Sequence, residues 1–291
     1  MNSVIASAPA KINWTLAVTG LDERGYHLLD MLMQTVSIFD TVTVSKAEEI
    51  TVKTNKRWLP VDEHNTAFKA AKLFFEQTGI DAGCDVFIKK MIPSGAGLAG
   101  GSADGAATLA ALNVLFEAGL TQEELSRLAL KIGADVPFML KGGLCRARGI
   151  GEQLEKINAK RNYALLCVMN LRQPASTPEV YKKFDTLGSH FQPDNDKFIS
   201  ALNDGNFEQM NLFGGNMLTE SACTVSADIE KNIGVMKQAG AKFVSMSGSG
   251  ATVYGVFETL EQATEAKKYF PDCWAFACRT TYLGIKIKEN K

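Results

Sequence analysis

The chain reads Pro93-Ser94-Gly95-Ala96-Gly97-Leu98-Ala99-Gly100-Gly101-Ser102-Ala103-Asp104 between a short apolar segment and a segment rich in alanine and leucine that is typical of a helix. Five glycines fall between residues 95 and 105, so the backbone can turn tightly and approach a ligand closely. The first N–H groups of the following helix have no partner within the helix and carry partial positive charge. The pattern therefore predicts a loop that binds phosphate, and a flexible surface turn before a buried helix is the alternative.

Composition indicates a soluble globular protein. The 291 residues are 46% hydrophobic and 22% charged, which suffices for one large or two medium domains. The formal net charge is −1 and basic residues are dispersed, so neither nucleic acid nor an anionic membrane is expected as a partner. No window approaches the ~20 apolar residues of a membrane span, and the first residues lack the pattern of a signal peptide. We therefore expect a cytoplasmic protein in which any positively charged site is local.

The cysteines do not form a recognisable framework. The chain has six of them, Cys84, Cys145, Cys167, Cys223, Cys273 and Cys278, with no C-x-x-C spacing. Small buried cysteines are common in protein cores. We predict no disulfide and no structural zinc site.

The first half of the chain mixes strand and helix patterns. Alternation from Ile12 to Val18 predicts a half-buried strand with Lys11, Asn13 and Thr15 on its other face. Further strands are predicted as a pair over 33–39 and 41–44, and singly over 84–89. Helices are predicted over 65–79 with Asn65 as N-cap, over 102–118, and over 121–131 behind the T-x-x-E capping box of Thr121 and Glu124. Asp135 follows the last helix in a turn that Pro137 restricts.

A polar stretch at 158–162 places a domain boundary between residues 1–160 and 161–291. The second half predicts strands over 163–169, 242–246, 251–257 and 273–280. Its helices are predicted from residue 178 and over 196–217, 227–239 and 261–270. Without the middle helices, this order is the split β-α-β pattern, β-α-β-β-α-β, and the fold class is α+β.

Other catalytic patterns fit less well. Gly95-x-Gly97-x-x-Gly100 matches the dinucleotide fingerprint, but the early β-α-β unit and the acidic residue that closes its second strand are missing. The chain has no Gly-Lys dipeptide for a P-loop, no H-R-D or D-F-G of a protein kinase, and no G-x-S-x-G of a serine hydrolase. A second glycine turn, Ser247-Gly248-Ser249-Gly250, is either a simple hairpin loop or the far side of a nucleotide cleft.

Four blocks resemble the GHMP superfamily of galactokinase, homoserine kinase, mevalonate kinase and phosphomevalonate kinase. They are Pro9-Ala10-Lys11-Ile12-Asn13, the glycine-rich block from Pro93 to Ser102, Gly133-Ala134-Asp135-Val136-Pro137-Phe138 and Met246-Ser247-Gly248-Ser249-Gly250-Ala251. The resemblance implies an ATP-dependent small-molecule kinase of two domains with the active site between them. The N-terminal domain would be ribosomal-protein-S5-domain-2-like and the C-terminal domain ferredoxin-like.

Gly25-Tyr26-His27 and the Gly-Gly-Ser form of the loop are most similar to one branch of that superfamily. That branch phosphorylates the 2-hydroxyl of a cytidylated methylerythritol in the non-mevalonate isoprenoid pathway. The resemblance implies that residues 93–103 bind the ATP phosphates, that Asp135 is the catalytic base and that Lys11 is the second catalytic residue. Mg²⁺ is expected to travel with ATP and to keep several waters; the sequence shows no clear dedicated carboxylate for it, so no metal ligand is assigned and Asp104 is only a candidate.

The resemblance also implies residues that bind the substrate. Tyr26 and His27 match the positions that recognise the cytosine ring. Asn13 and Thr177 lie where the family contacts substrate, although Thr177 is equally suited to be the N-cap of a helix that begins at Pro178.

The chain departs from the usual pattern at Trp14, Arg24, Ala99, Ala103 and Gly105. The missing hydroxyl at Ala103 puts one phosphate or magnesium contact in question, and Arg24 does the same for the substrate. Two alternatives stay open: another GHMP-type kinase with a homoserine- or mevalonate-like substrate, and a nucleotide-binding relative that has lost catalysis. The sequence leaves the oligomeric state undetermined.

Overall fold

The computed structural model of the protein describes residues 2–172 and 175–289. Its larger sheet has eight strands: β1 (Ser3–Leu21), β2 (His27–Ala47), β3 (Thr51–Thr54), β4 (Gly83–Lys89), β5 (Leu144–Gly149), β6 (Gln153–Ile157), β8 (Gly215–Asn216) and β12 (Lys286–Glu289). The main order is β12-β1-β2-β4-β3. In addition, β5 pairs with the first part of β2, β6 pairs with β5, and β8 pairs with β1. A long antiparallel hairpin of β1 and β2, from the pair Ser3 and Ser45 to the pair Leu21 and His27, is therefore the frame of this half.

Four helices belong to this half: α1 (Thr66–Thr78), α2 (Gly100–Leu115), α3 (Gln122–Ile132) and α4 (Val136–Lys141). Helix α2 packs on β1 and β2 and is apolar around almost its whole surface, as expected for a helix enclosed on all sides. Asn65 caps α1 by accepting a hydrogen bond from the Ala67 N–H, and the capping box of Thr121 and Glu124 opens α3. Both capping predictions are confirmed.

The smaller sheet contains β7 (Ala164–Met169), β9 (Phe243–Met246), β10 (Val253–Phe257) and β11 (Trp274–Arg279) in the antiparallel order β11-β7-β10-β9. The helices around it are α5 (Thr177–Leu187), α6 (Asn195–Asp204), α7 (Phe207–Phe213), α8 (Thr219–Val225), α9 (Ala227–Gln238) and α10 (Leu260–Glu265), which a 3₁₀ turn (Ala266–Tyr269) extends. This strand order is the split β-α-β arrangement, so the ferredoxin-like prediction is confirmed.

The two sheets are joined by more than the chain connection. Strands β8 and β12 come from the second half of the sequence but pair with β1. No helix in the described ranges is long and apolar enough to cross a membrane. The division into residues 1–160 and 161–291 stays a prediction.

Two predicted strands differ from the structure, and several short elements were not predicted. Strand β1 is not half-buried, because the second half of the chain covers its other face: Asn13 is buried and Thr15 bonds to Asn195. The predicted strand pair is one continuous strand, β2, since the residue between its halves, Asp40, is buried and ion-paired rather than in a turn. The elements β3, β5, β6, β8, β12, α4 and α8 were not predicted. Of these, β3, β5, β6 and β12 interleave charged and apolar residues and lack the apolar runs of β7, β9 and β10.

Candidate active site

A cavity of about 480 Å³ lies where the start of α2 faces β1, α5 and the turn between β9 and β10. Its wall combines small loop residues with a few polar side chains. The lining residues that carry the argument are Lys11, Asn13, Asp135, Thr177, Tyr181 and Ser249, with Gly95, Ala96, Gly97, Ala99, Gly100, Gly101 and Ser102 from residues 93–103, here called the glycine loop.

The glycine loop ends in an uncapped helix. Ala99 occupies the N-cap position of α2 in the left-handed conformation, with φ of 55°, and its methyl side chain caps nothing. The N–H of Ala103 bonds to the Ala99 carbonyl, so Gly100, Gly101 and Ser102 carry the N–H groups that a helix leaves unpaired. These three residues line the cavity, which makes this end of α2 suitable for an anion.

The turn of residues 247–250 holds the glycine loop in place. The Ser247 hydroxyl donates a hydrogen bond of 2.8 Å to the Gly97 carbonyl, and the Thr252 N–H donates one of 3.2 Å to the Ala96 carbonyl. The two backbones approach so closely that a Cβ atom at Gly97 would overlap the carbonyl oxygen of Ser247. The turn is thus a hairpin between β9 and β10, and Gly248 also forms part of the cavity wall.

Lys11 and Asp135 meet across the cavity. The buried Lys11 ammonium lies 3.7 Å from the Asp135 carboxylate and donates a hydrogen bond of 2.6 Å to the Asn13 amide oxygen. That oxygen also accepts a hydrogen bond of 2.9 Å from the Gly248 N–H. The buried Asn13 side chain therefore links the Lys11 ammonium group to the hairpin turn.

Asp135 belongs to an element that was missed, α4. It stands at the N-cap position with φ of −79° and ψ of −15°, and its side chain makes no capping hydrogen bond. The carboxylate keeps about 30% of its side-chain surface exposed. A carboxylate that faces the cavity in this way can accept a hydrogen bond or a proton from a bound group.

Thr177 faces the cavity rather than capping its helix. Ser176 is the N-cap residue of α5, and Thr177 is the first helical residue, so the N-cap prediction was wrong. The Thr177 hydroxyl is 2.6 Å from the Ser249 hydroxyl, and both residues line the cavity. This bond joins α5 to the hairpin turn.

Tyr26 and His27 lie beyond the cavity wall, at the β1–β2 turn. The Tyr26 ring is 58% exposed, and the Arg24 guanidinium lies 5.1 Å from its centroid. The His27 ring is 4.5 Å from the ring of Tyr181, which lines the cavity, and its Nε2 is 2.6 Å from an Asp185 oxygen. The structure therefore places His27 behind Tyr181, next to the cavity, and leaves Tyr26 exposed in the β1–β2 turn.

Sequence reasoning missed Tyr181 and Asp185. They are four residues apart on α5, a spacing that places both on one face of a helix. That spacing alone does not reveal that the face meets His27. Burial, with the nearby Asp135 carboxylate, raises the pKa of Tyr181, so its hydroxyl stays protonated.

Four residues of the glycine loop do not reach the cavity. Leu98 and Ala103 are buried in the core. Pro93 and Ser94 line a neighbouring hollow of about 190 Å³ that contains Trp58, whose side chain is 67% exposed. The loop therefore runs from this hollow into the cavity.

Asp104 is not available as a ligand for Mg²⁺ in the cavity. Its side chain is buried, and one carboxylate oxygen lies 2.7 Å from the Lys90 ammonium. The hypothesis that it holds the metal is therefore wrong, because an inward-facing carboxylate with a lysine partner cannot also reach the cavity.

Comparison with known proteins gives the family of the chain. The family described as GHMP kinases N terminal domain matches residues 65–143, and that described as GHMP kinases C terminal matches residues 198–275. A curated relative from Clostridium botulinum (strain Alaska E43 / Type E3) is 42% identical over 260 residues, which are 88% of this chain and 91% of the relative. The chain belongs to the GHMP kinase family. That relative is named 4-diphosphocytidyl-2-C-methyl-D-erythritol kinase.

Other relatives of this GHMP kinase carry the same name. The one from Clostridium acetobutylicum is 38% identical over 90% of this chain and 93% of its own length. A crystal structure of 4-(cytidine 5'-diphospho)-2C-methyl-D-erythritol kinase superimposes with a TM-score of 0.82 at 30% identity, over 95% of this chain and 98% of that one. Homoserine kinase from Cytophaga hutchinsonii shares the fold, with a TM-score of 0.75 at 18% identity. The predicted two-domain GHMP kinase fold and the assignment as a kinase are confirmed.

Proposed function

We propose that this GHMP kinase transfers the γ-phosphoryl group of ATP to the 2-hydroxyl of 4-diphosphocytidyl-2-C-methyl-D-erythritol, in the non-mevalonate route to isoprenoid precursors. One observation carries the proposal: Lys11 and Asp135 face the uncapped start of α2 across a single cavity. The names of relatives at 36–42% identity support the choice of substrate.

The glycine loop would hold the triphosphate. Phosphoryl transfer passes through a loose transition state, so the protein mainly positions the two reactants and balances charge. The unpaired N–H groups of Gly100, Gly101 and Ser102 can donate to phosphate oxygens, and the α2 dipole adds a favourable field. The hollow beside Pro93 and Trp58 lies at the other end of the loop, where an aromatic ring can stack on the base of the nucleotide.

Asp135 would act on the acceptor alcohol. Its carboxylate accepts the proton of the 2-hydroxyl as that oxygen bonds to the γ-phosphorus and the bond to the β-phosphate oxygen breaks. Lys11, whose ammonium is 3.7 Å from this carboxylate, can offset negative charge on the transferring group. Neither role requires Asp135 to move far, because part of its surface already faces the cavity.

The residues around His27 would bind the cytosine ring. Tyr26 and Tyr181 offer aromatic faces for stacking, and the His27 ring offers a hydrogen-bonding nitrogen. In a neutral imidazole whose Nε2–H donates to Asp185, the other nitrogen, Nδ1, is an acceptor. An acceptor at this place suits the amino group of cytosine.

Mg²⁺ would be carried largely by the nucleotide. Among the described residues, no group of three or more His, Cys, Asp or Glu side chains could hold a metal ion without other ligands. Mg²⁺ usually keeps several waters and binds through substrate phosphates, where it neutralises charge.

The cytoplasmic location of the protein also stays a prediction.

The experiment that tests the proposal is an assay of the purified protein with ATP, Mg²⁺ and the cytidylated substrate. We expect ADP and a product heavier by one phosphate. Free methylerythritol, homoserine and mevalonate serve as parallel substrates and should give no product. Turnover of homoserine or mevalonate in place of the cytidylated compound would contradict the assignment, and ATP binding without any turnover would indicate a catalytically inactive relative.

A further inference from the structure

Three charged side chains are buried together beneath the glycine loop. Lys90, immediately after β4, forms an ion pair with Asp40 of β2, and its ammonium lies 2.7 Å from an Asp104 oxygen of α2. All three are almost completely shielded from solvent. The mechanism above uses none of them.

This network ties the two ends of the glycine loop together. The second oxygen of Asp40 accepts hydrogen bonds from the N–H groups of Met91 (2.6 Å) and Ile92 (2.9 Å), immediately before the loop. Asp104 lies immediately after the loop, on α2. Between them, a Cβ atom placed on Gly100 would lie 3.2 Å from the Lys90 ammonium. The charges are therefore next to the N–H groups that line the cavity.

The charges of the network do not balance when every group is ionised. One ammonium then faces two carboxylates, and the Asp104 oxygen that does not contact Lys90 has no hydrogen-bond partner among the described residues. Burial alone would lower the pKa of Lys90, but Asp104 and Asp40 raise it, so the ammonium stays charged. A buried carboxylate with an unpaired oxygen is costly, and a proton on Asp104 would remove its negative charge.

The groups around Asp104 favour that proton near neutral pH. Burial is the main cause that raises the pKa of Asp104 to about 8; the Asp40 carboxylate adds to the increase, and the Lys90 ammonium opposes it. With a proton on Asp104 the network would be neutral, and with all three groups ionised it would have a net charge of −1 beneath the loop.

We propose that the network of Lys90, Asp40 and Asp104 holds one exchangeable proton, and that the kinase binds nucleotide phosphates more tightly when the proton is present. The inference rests on the proposed nucleotide site. A negative charge buried under the start of α2 repels bound phosphates with little screening by solvent. By linkage, nucleotide binding must in turn raise the affinity of the network for the proton.

The test compares the wild type with Asp104→Asn, since an amide has the size of the carboxyl group and no charge to lose. Calorimetry with a non-hydrolysable ATP analogue and Mg²⁺ would measure Kd at pH 7 and pH 9.5. We expect the wild type to lose affinity by about tenfold at the higher pH, whereas Asp104→Asn should lose much less. Asp81→Asn, an exposed carboxylate in the same half, is the matched control and should behave as the wild type.

A second measurement needs no variant. Titrations of the wild type at pH 8, in buffers of different ionisation enthalpy, report the protons taken up with the nucleotide, and we expect about half a proton per site. Zero uptake, or the same loss of affinity in the wild type and in a folded Asp104→Asn protein, would overturn the inference while leaving the nucleotide site intact. Absence of analogue binding at every pH would overturn the nucleotide site itself.

Discussion

Asp135 stands at the N-cap position of α4, yet its carboxylate caps no N–H group of that helix and faces Lys11 instead. A side chain that gives up a capping bond for a charged partner in a cavity is positioned for chemistry rather than for stability. We expect Asp135→Asn to lower kcat by two or more orders of magnitude, because the amide cannot accept a proton. The measurement is steady-state turnover together with Kd for the ATP analogue, which should change little. Near-normal turnover would remove Asp135 from the mechanism, and Asp81→Asn controls for the loss of one negative charge.

Asp185 holds the His27 ring from outside the cavity, at 2.6 Å from Nε2. It acts through His27 and is therefore a positioning residue. We expect Asp185→Ala to raise KM for the cytidylated substrate by about tenfold with kcat nearly unchanged, since a hydrogen bond to a charged group is lost. Asp185→Glu should restore part of the affinity. A fall in kcat at constant KM would contradict a role in binding the base.

At the scale of elements, the glycine loop and the hairpin turn of residues 247–250 form one unit. Gly95 and Gly97 both have positive φ, at 64° and 74°, but open space surrounds Gly95 whereas Gly97 touches the Ser247 carbonyl. We expect Gly97→Ala to reduce the free energy of unfolding by about 3 kcal/mol, because strain and overlap add. Gly95→Ala is the matched control, with strain alone and a loss of about 1–2 kcal/mol. Equal losses by chemical denaturation would mean that the close contact has no energetic effect.

Which elements the sequence could predict depends on whether their signals are local. Asn65 and the capping box at Thr121 act within one helical turn, so α1 and α3 were placed almost to the residue. The glycine loop, Lys11 and Asp135 were found through ordered motifs. By contrast, the bond between Thr177 and Ser249 and that between His27 and Asp185 join residues 72 and 158 positions apart. No pattern along the chain contains such contacts.

At the scale of the whole molecule, Trp14 shows why β1 was misjudged. It is fully buried, and rings of Tyr163, Phe198, Phe243 and Tyr254, all from the second half of the chain, lie 5.5–6.1 Å from its own. Alternation predicted a half-buried strand with Trp14 on its apolar face, but the register of β1 and β2 shifts between Asn13 and Thr15, so strict alternation ends there. A large side chain of the first sheet in the core of the second half must couple the stabilities of the two.

This coupling leads to a prediction for unfolding. We expect Trp14→Ala to lower the free energy of unfolding by about 3–5 kcal/mol, since a large cavity opens between the two halves. Both halves should still unfold together, so circular dichroism and the fluorescence of the remaining Trp58 and Trp274 should give coincident denaturation curves. Trp58→Ala removes a side chain that is 67% exposed and should change stability by no more than about 0.5 kcal/mol. Two separate transitions in the wild type would show instead that each half unfolds independently. The ring contacts around Trp14 would then not couple the unfolding of the two halves.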